Sequence, residues 1–78
     1  MNNLEKYNNA FEEVLKVSAD ALEGLEYQGI PAWDSIAHMQ LISSLEDAFG
    51  IEMDADDIID FSSYAKGKEI LSKYEIAF

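Results

Sequence analysis

The sequence predicts an all-α four-helix bundle, three longer helices and one short third helix, with a long loop between the first two. Three observations carry this. Apolar residues recur at steps of three and four in separate segments, as one-sided helices require. No segment alternates apolar and polar residues as a half-buried strand would. At 78 residues the chain has the length of one small domain, residues 1–78, with a single core.

In the first segment Leu4, Tyr7, Phe11, Val14, Leu15 and Ser18 share a face, while Glu5, Lys6, Glu12, Glu13 and Lys16 fill the other. This predicts a helix from about Asn3 to Ser18. Asn2 with Glu5 three residues later reads as a capping box. From Ala19 to Trp33 the period is lost, and Gly24, Gly29 and Pro31 mark a loop with room for one short turn. Loops this long are unusual in a compact domain, so Leu22, Leu25, Tyr27, Ile30 and Trp33 are expected to tie it down, with Trp33 as the packing anchor.

Asp34 or Ser35 opens the second helix, which runs to Phe49 and stops at Gly50, the residue that most cheaply takes the left-handed cap conformation. At about 100° per residue, Leu41, Ile42, Leu45 and Phe49 form its core stripe, with His38 among them. Ile36 and Met39 fall on the opposite side with Gln40, Ser43 and Asp47, facing water beside Ser35. Asp54 is the expected N-cap of the short helix, with Asp56 and Asp57 loading acid onto its first turn. That helix ends near Phe61, and Ile58, Ile59 and Phe61 supply its buried contacts. Ser62 or Ser63 caps a last helix through Tyr64, Ile70, Leu71 and Tyr74. Gly67 inside it costs about 1 kcal/mol relative to alanine, which marks either a close helix contact or a weak helix. The expected core is Tyr7, Phe11, Val14, Leu15, Leu41, Ile42, Leu45, Phe49, Ile58, Phe61, Ile70, Leu71 and Tyr74.

Composition excludes several functions. Sixteen acids against five lysines give a formal charge of −11, which disfavours nucleic acid and anionic membrane as partners and favours basic proteins. The absence of cysteine rules out disulfides, thiolate metal sites and a cysteine nucleophile. No apolar run is long enough to span a membrane, and Met1-Asn2-Asn3-Leu4-Glu5 has no basic, apolar targeting pattern, so the expected setting is the cytoplasm.

Four sets of residues carry candidate chemistry. Ser35 after Asp34 is the plain N-cap arrangement, yet a phosphate esterified to its hydroxyl would lie at a helix N-terminus, where free N–H groups and the dipole favour an anion. Ser35 with His38 one turn later suggests a nucleophile and base, but Trp33-Asp34-Ser35-Ile36-Ala37 is not a Gly-x-Ser-x-Gly turn, and no oxyanion hole is legible. His38 reads instead as a half-buried histidine with one nitrogen bonded to backbone or water. Asp54, Asp56, Asp57 and Asp60 fail the calcium-loop pattern, since Ile58 takes a ligand position and the turn glycine and closing glutamate are missing; they read as capping acids on a solvated face. Ile36 and Met39, rimmed by Asp34, Glu46 and Asp47, form a small apolar patch on which a basic partner can dock beside Ser35.

The stretch from Ile30 to Met53, with Asp34-Ser35-Ile36, Leu41, Leu45, Glu46 and Phe49 in the characteristic places, resembles the acyl carrier protein family. Length, acidity and layout agree over nearly the whole chain, the first 29 residues in pattern only. The resemblance implies that Ser35, with Asp34 beside it, carries 4′-phosphopantetheine taken from coenzyme A by a phosphopantetheinyl transferase that holds magnesium in its own site. Ser35 is then an attachment point and the chain is not an enzyme. The arm's thiol would hold acyl groups as thioesters for acyl-loading and acyl-transferring enzymes with basic docking patches. Ile36, Met39, Glu46, Asp47, Asp56 and Asp57 would meet those partners, and the carrier would be a monomer. Ala37, Gln40 and Ser43 replace two acids and an apolar residue usual in fatty-acid-synthesis carriers, and no paired glycines precede the serine as in many peptidyl carriers. These departures lean toward a discrete carrier of a specialised or surface-polysaccharide pathway. The alternative is a never-loaded acidic helical module that binds a basic partner through the second helix.

Overall fold

The computed structural model describes residues 2–78 and is all-helical. Helix α1 spans Asn3–Leu15, α2 Ser35–Phe49, α3 Ala55–Asp60 and α4 Tyr64–Ser72, with a 3₁₀ turn at Ala19–Ala21. Among the described residues there is no strand, only an isolated antiparallel bridge between Glu26 and Ser63, and no helix is long and apolar enough to cross a membrane.

Caps set most of the helix boundaries. Asn2 accepts from Glu5 N at 2.8 Å, Asp34 from Ala37 N at 2.9 Å and Ser63 from Lys66 N at 2.9 Å, each satisfying an N–H that the first turn leaves without a carbonyl. Gly50 closes α2 in the left-handed conformation and donates to Glu46 O. One expectation fails here and another holds in position only. α1 ends at Leu15, not near Ser18, because Lys16 takes the left-handed conformation at φ 58° and turns the chain away before the apolar period runs out. Asp54 holds the N-cap position of α3, but its side chain makes no cap bond; its N–H is drawn instead to the Tyr74 hydroxyl at 3.0 Å.

α1 against α2 is the one extensively packed helix pair among the described residues. Tyr7, Phe11 and Leu15 face Leu41, Ile42 and Leu45, all nearly or wholly inaccessible. Trp33 at 0% exposure fills the middle, its ring edge-on to Phe11 at 5.5 Å. Leu22, Leu25, Ala10, Ala37, Met53, Tyr64 and Ile76 complete the core. Val14, Phe49, Ile58 and Tyr74, expected inside, are only partly covered, and Ile59, expected buried, is 78% exposed. In a helix consecutive residues point about 100° apart. Asp57 takes the inward direction of α3, and Ile59 is therefore turned to water.

The long loop is held by main-chain bonds as well as by its apolar side chains. Tyr27 N donates to Ser62 O at 2.9 Å and Tyr64 N to Leu25 O at 2.8 Å, so the loop lies antiparallel on the α3–α4 connection. Gln28 N donates to Trp33 O at 3.0 Å and Trp33 N to Ile30 O at 3.2 Å, a tight fold that delivers Trp33 to the core and Asp34 to the mouth of α2. Gly67 marks a close contact, not a weak helix: a Cβ there would collide with the Tyr7 hydroxyl and would lie 2.7 Å from Phe61 Cε1.

Candidate functional site

Ser35 is the first residue of α2 and is exposed. Of the N–H groups in this turn, Ala37 N is taken by the Asp34 carboxylate and His38 N by Asp34 O at 2.8 Å. The N–H groups of Ser35 and Ile36 have no preceding helical carbonyl. They sit at the positive end of the helix beside the Ser35 hydroxyl, the environment that favours an esterified phosphate. Asp34 is exposed, and one of its carboxylate oxygens is committed to the cap.

An apolar groove of about 310 Å³ starts at Ser35 and is lined by Tyr27, His38, Met39, Ile58, Ile59 and Phe61. This is at the small end of ligand sites. Tyr27 and Ile59 are walls that the sequence did not reveal: Tyr27 reads only as loop packing, and Ile59 is legible as a wall only once α3 is known to face Asp57 inward.

His38 is half-buried and has both ring nitrogens engaged. Trp33 Nε1 can only donate, and it donates to His38 Nδ1 at 3.0 Å. The ring proton therefore sits on Nε2, which donates to Ile58 O at 2.9 Å. The bond to the Ile58 carbonyl, which ties α2 to α3, is the backbone bond the sequence implied; the bond from Trp33 is the one it did not. A histidine bonded on both sides has no free lone pair with which to take a proton from Ser35, and the nucleophile–base reading loses its base.

Ile36 is 71% exposed and Met39 52%, on the side of α2 away from Leu41 and Leu45. With Ile59 they surround Ser35 by three exposed apolar side chains on two helices. Asp47 and Asp56 are exposed. Glu46 is half-buried, and its carboxylate accepts from Met53 N at 2.9 Å, bracing the α2–α3 connection. Asp57 departs from the expected solvated face: it is 7% exposed, is ion-paired with Lys73 at 2.5 Å and accepts from the Tyr74 hydroxyl at 2.5 Å. Lys73, first, and Tyr74 hold its carboxyl below the usual carboxylate range. Nothing in the spacing of Asp54, Asp56, Asp57 and Asp60 distinguishes the one that turns inward. Among the described residues no group of three acids or histidines is arranged to hold a metal.

No lysine lies between residues 17 and 65, so the Ser35 face carries acids and no compensating cation from α2 or α3. Residues 33–66 match the family described as the phosphopantetheine attachment site. No curated protein and no solved structure matches the chain. The matched segment starts at Trp33 and takes in α2, α3 and the first turn of α4, and with them every residue of the groove except Tyr27.

Proposed function

We propose, from the premise that a phosphopantetheine attachment site spans residues 33–66 in a helical bundle consistent with the acyl carrier protein family, that the chain carries acyl groups on an arm esterified to Ser35 and hands them between partner enzymes. A domain of this family is the site of covalent 4′-phosphopantetheine attachment and is not itself catalytic. The observation that carries the assignment to this residue is the exposed Ser35 hydroxyl at the N-terminus of α2, next to two N–H groups that no helical carbonyl can reach.

The bound arm supplies a terminal thiol, which the chain lacks, and with it thioester chemistry. The protein's residues do the rest. Asp34 fixes the backbone of the first turn through Ala37 N, so that Ser35 leads the helix in one orientation. The N–H groups of Ser35 and Ile36 and the helix dipole favour a phosphate there. His38 lines the groove without offering a base, because its Nδ1 lone pair is taken by the buried Trp33 indole. Ile36, Met39 and Ile59 supply apolar contact for a phosphopantetheinyl transferase and for acyl-loading and acyl-transferring enzymes, while Asp34, Asp47 and Asp56 steer their basic patches. Glu46 and Asp57 act from behind this surface, holding the α2–α3 connection and α3 in place.

Ala37, buried at 8% exposure, stands where fatty-acid-synthesis carriers usually have an acid. Together with Gln40 and Ser43, it supports a discrete carrier in a specialised pathway; the carrier is taken to work as a monomer in the cytoplasm. Incubation with coenzyme A, magnesium and a broad-specificity transferase, followed by intact mass, tests the reading. A gain of one arm, absent in Ser35→Ala, supports it. Repeated failure with several transferases on folded protein would leave the never-loaded interaction module.

A further inference from the structure

α3 is fastened differently from the other helices. Its single well-buried side chain is an aspartate, not an apolar residue. Ile59 points to water and Ile58 is only partly covered. What holds the helix is polar and comes from two sides. From α2, His38 Nε2 donates to Ile58 O at 2.9 Å. From the end of α4, Lys73 pairs with Asp57 at 2.5 Å, the Tyr74 hydroxyl donates to the other Asp57 oxygen at 2.5 Å, and the same hydroxyl accepts from Asp54 N at 3.0 Å.

A six-residue helix has almost no stability of its own, and elements with few apolar contacts are the ones that open locally while the rest of a domain stays folded. We infer that α3 detaches as a unit from the α1–α2–α4 body, and that Asp57, Lys73 and Tyr74 are the latch that sets how often it does so. Since α3 contributes Ile58 and Ile59 to the groove that begins at Ser35, the latch positions one wall of that groove. Two of its three residues, Lys73 and Tyr74, follow α4, so the position of this wall is set by side chains other than Ile36 and Met39 on α2. The latch acts through the position of α3 and touches no cargo; it requires no prosthetic group.

The unmodified chain therefore tests it by residue-resolved amide hydrogen exchange. Ile58 N, bonded to Asp54 O at 3.0 Å, reports on α3; the amides of Leu41 and Leu45 report on the body. In Lys73→Met and Tyr74→Phe, and in Asp57→Asn where it folds, exchange at Ile58 is expected to speed severalfold while Leu41 and Leu45 keep the rates of the parent. Lys73→Arg, which can remake the pair, is expected to keep Ile58 slow. Unchanged exchange at Ile58 in the first two variants would overturn the latch. Acceleration by one common factor at Ile58, Leu41 and Leu45 would overturn it too, because the triad would then stabilise the whole fold and not one element. Lys73 is 59% exposed, so its replacement leaves the core undisturbed. None of these outcomes depends on whether Ser35 is ever loaded.

Discussion

Gly67→Ala is expected to destabilise the fold, against the sign that helix propensity gives. In an isolated helix alanine is better than glycine by about 1 kcal/mol. In the fold the new Cβ would meet the Tyr7 hydroxyl and the Phe61 ring, and both side chains are buried to 1% exposure or less. Neither can yield into solvent. Forcing a methyl group into such packing costs about 1 to 3 kcal/mol. The Tyr7 hydroxyl is also displaced from Tyr64 O, to which it donates at 2.5 Å, and leaving a buried pair unmade adds about 1 to 3 kcal/mol. Less the propensity gain, the net loss is about 1 to 5 kcal/mol. A domain of 78 residues has a total stability of about 4 to 12 kcal/mol. The midpoint of thermal unfolding falls by about 4 to 8 °C for each kcal/mol lost. Thermal and urea unfolding followed by far-ultraviolet dichroism, with the single tryptophan Trp33 as a second probe, reads the change directly; coincident transitions justify the two-state treatment. An unchanged or raised midpoint would show that Tyr7 and Phe61 are not packed against α4 as described.

Other perturbations separate surface from interior. Ile36→Glu and Met39→Glu should slow loading by a transferase and leave helicity and midpoint unchanged, since both side chains are largely exposed; loss of fold would put them on the wrong face. Added salt or divalent cations should raise the melting temperature by screening the self-repulsion of a chain at −11, and a flat or falling response would contradict that. Asp57 has its folded pKa lowered, chiefly by the Lys73 hydrogen bond, so its contribution is present above the unfolded value of about 3.9 and is lost as pH falls through the folded one. Asp57→Asn should accordingly show a shallower loss of stability on acidification than the parent, measured by urea midpoints across pH 2 to 5. At the alkaline end burial pushes the Tyr7 hydroxyl far up, and the Asp57 hydrogen bond raises both Lys73 and Tyr74. These contributions are present below about pH 10 and decline above it, which Tyr7→Phe should blunt in an alkaline titration followed by dichroism.

The elements that could be read from sequence are those fixed by short-range chemistry. The cap at Asn2 with Glu5, Asp34 leading α2, Gly50 closing it and Ser63 leading α4 all act within four residues, and the apolar stripe Leu41, Ile42 and Leu45 follows from helical period alone. Ser35 at the helix mouth, with Ile36 and Met39 facing water, comes from the same arithmetic. What stayed hidden depends on partners distant in sequence. Asp57 turns inward because Lys73 and Tyr74 wait 16 and 17 residues later, and once it does, Ile59 has no core to enter. Lys16 ends α1 although the one-sided pattern continues to Ser18, because a left-handed lysine carries no signature as glycine does. The backbone partner of His38 is Ile58 O, 20 residues away, and the bond that occupies its basic lone pair comes from the Trp33 indole; without that second bond the histidine could still be imagined as a base. Glu46 looks like a surface acid until the α2–α3 connection is seen to fold back onto it.

The central claim is that one serine, Ser35, receives the arm. Fragmentation of the loaded chain in a mass spectrometer measures this most directly, since Ser18, Ser43, Ser44, Ser62, Ser63 and Ser72 are alternative hydroxyls in the same molecule. The account predicts that every modified fragment contains Ser35 and that Ser35→Ala stays at its unmodified mass. An arm found on another serine, or loading that persists in Ser35→Ala, would contradict it.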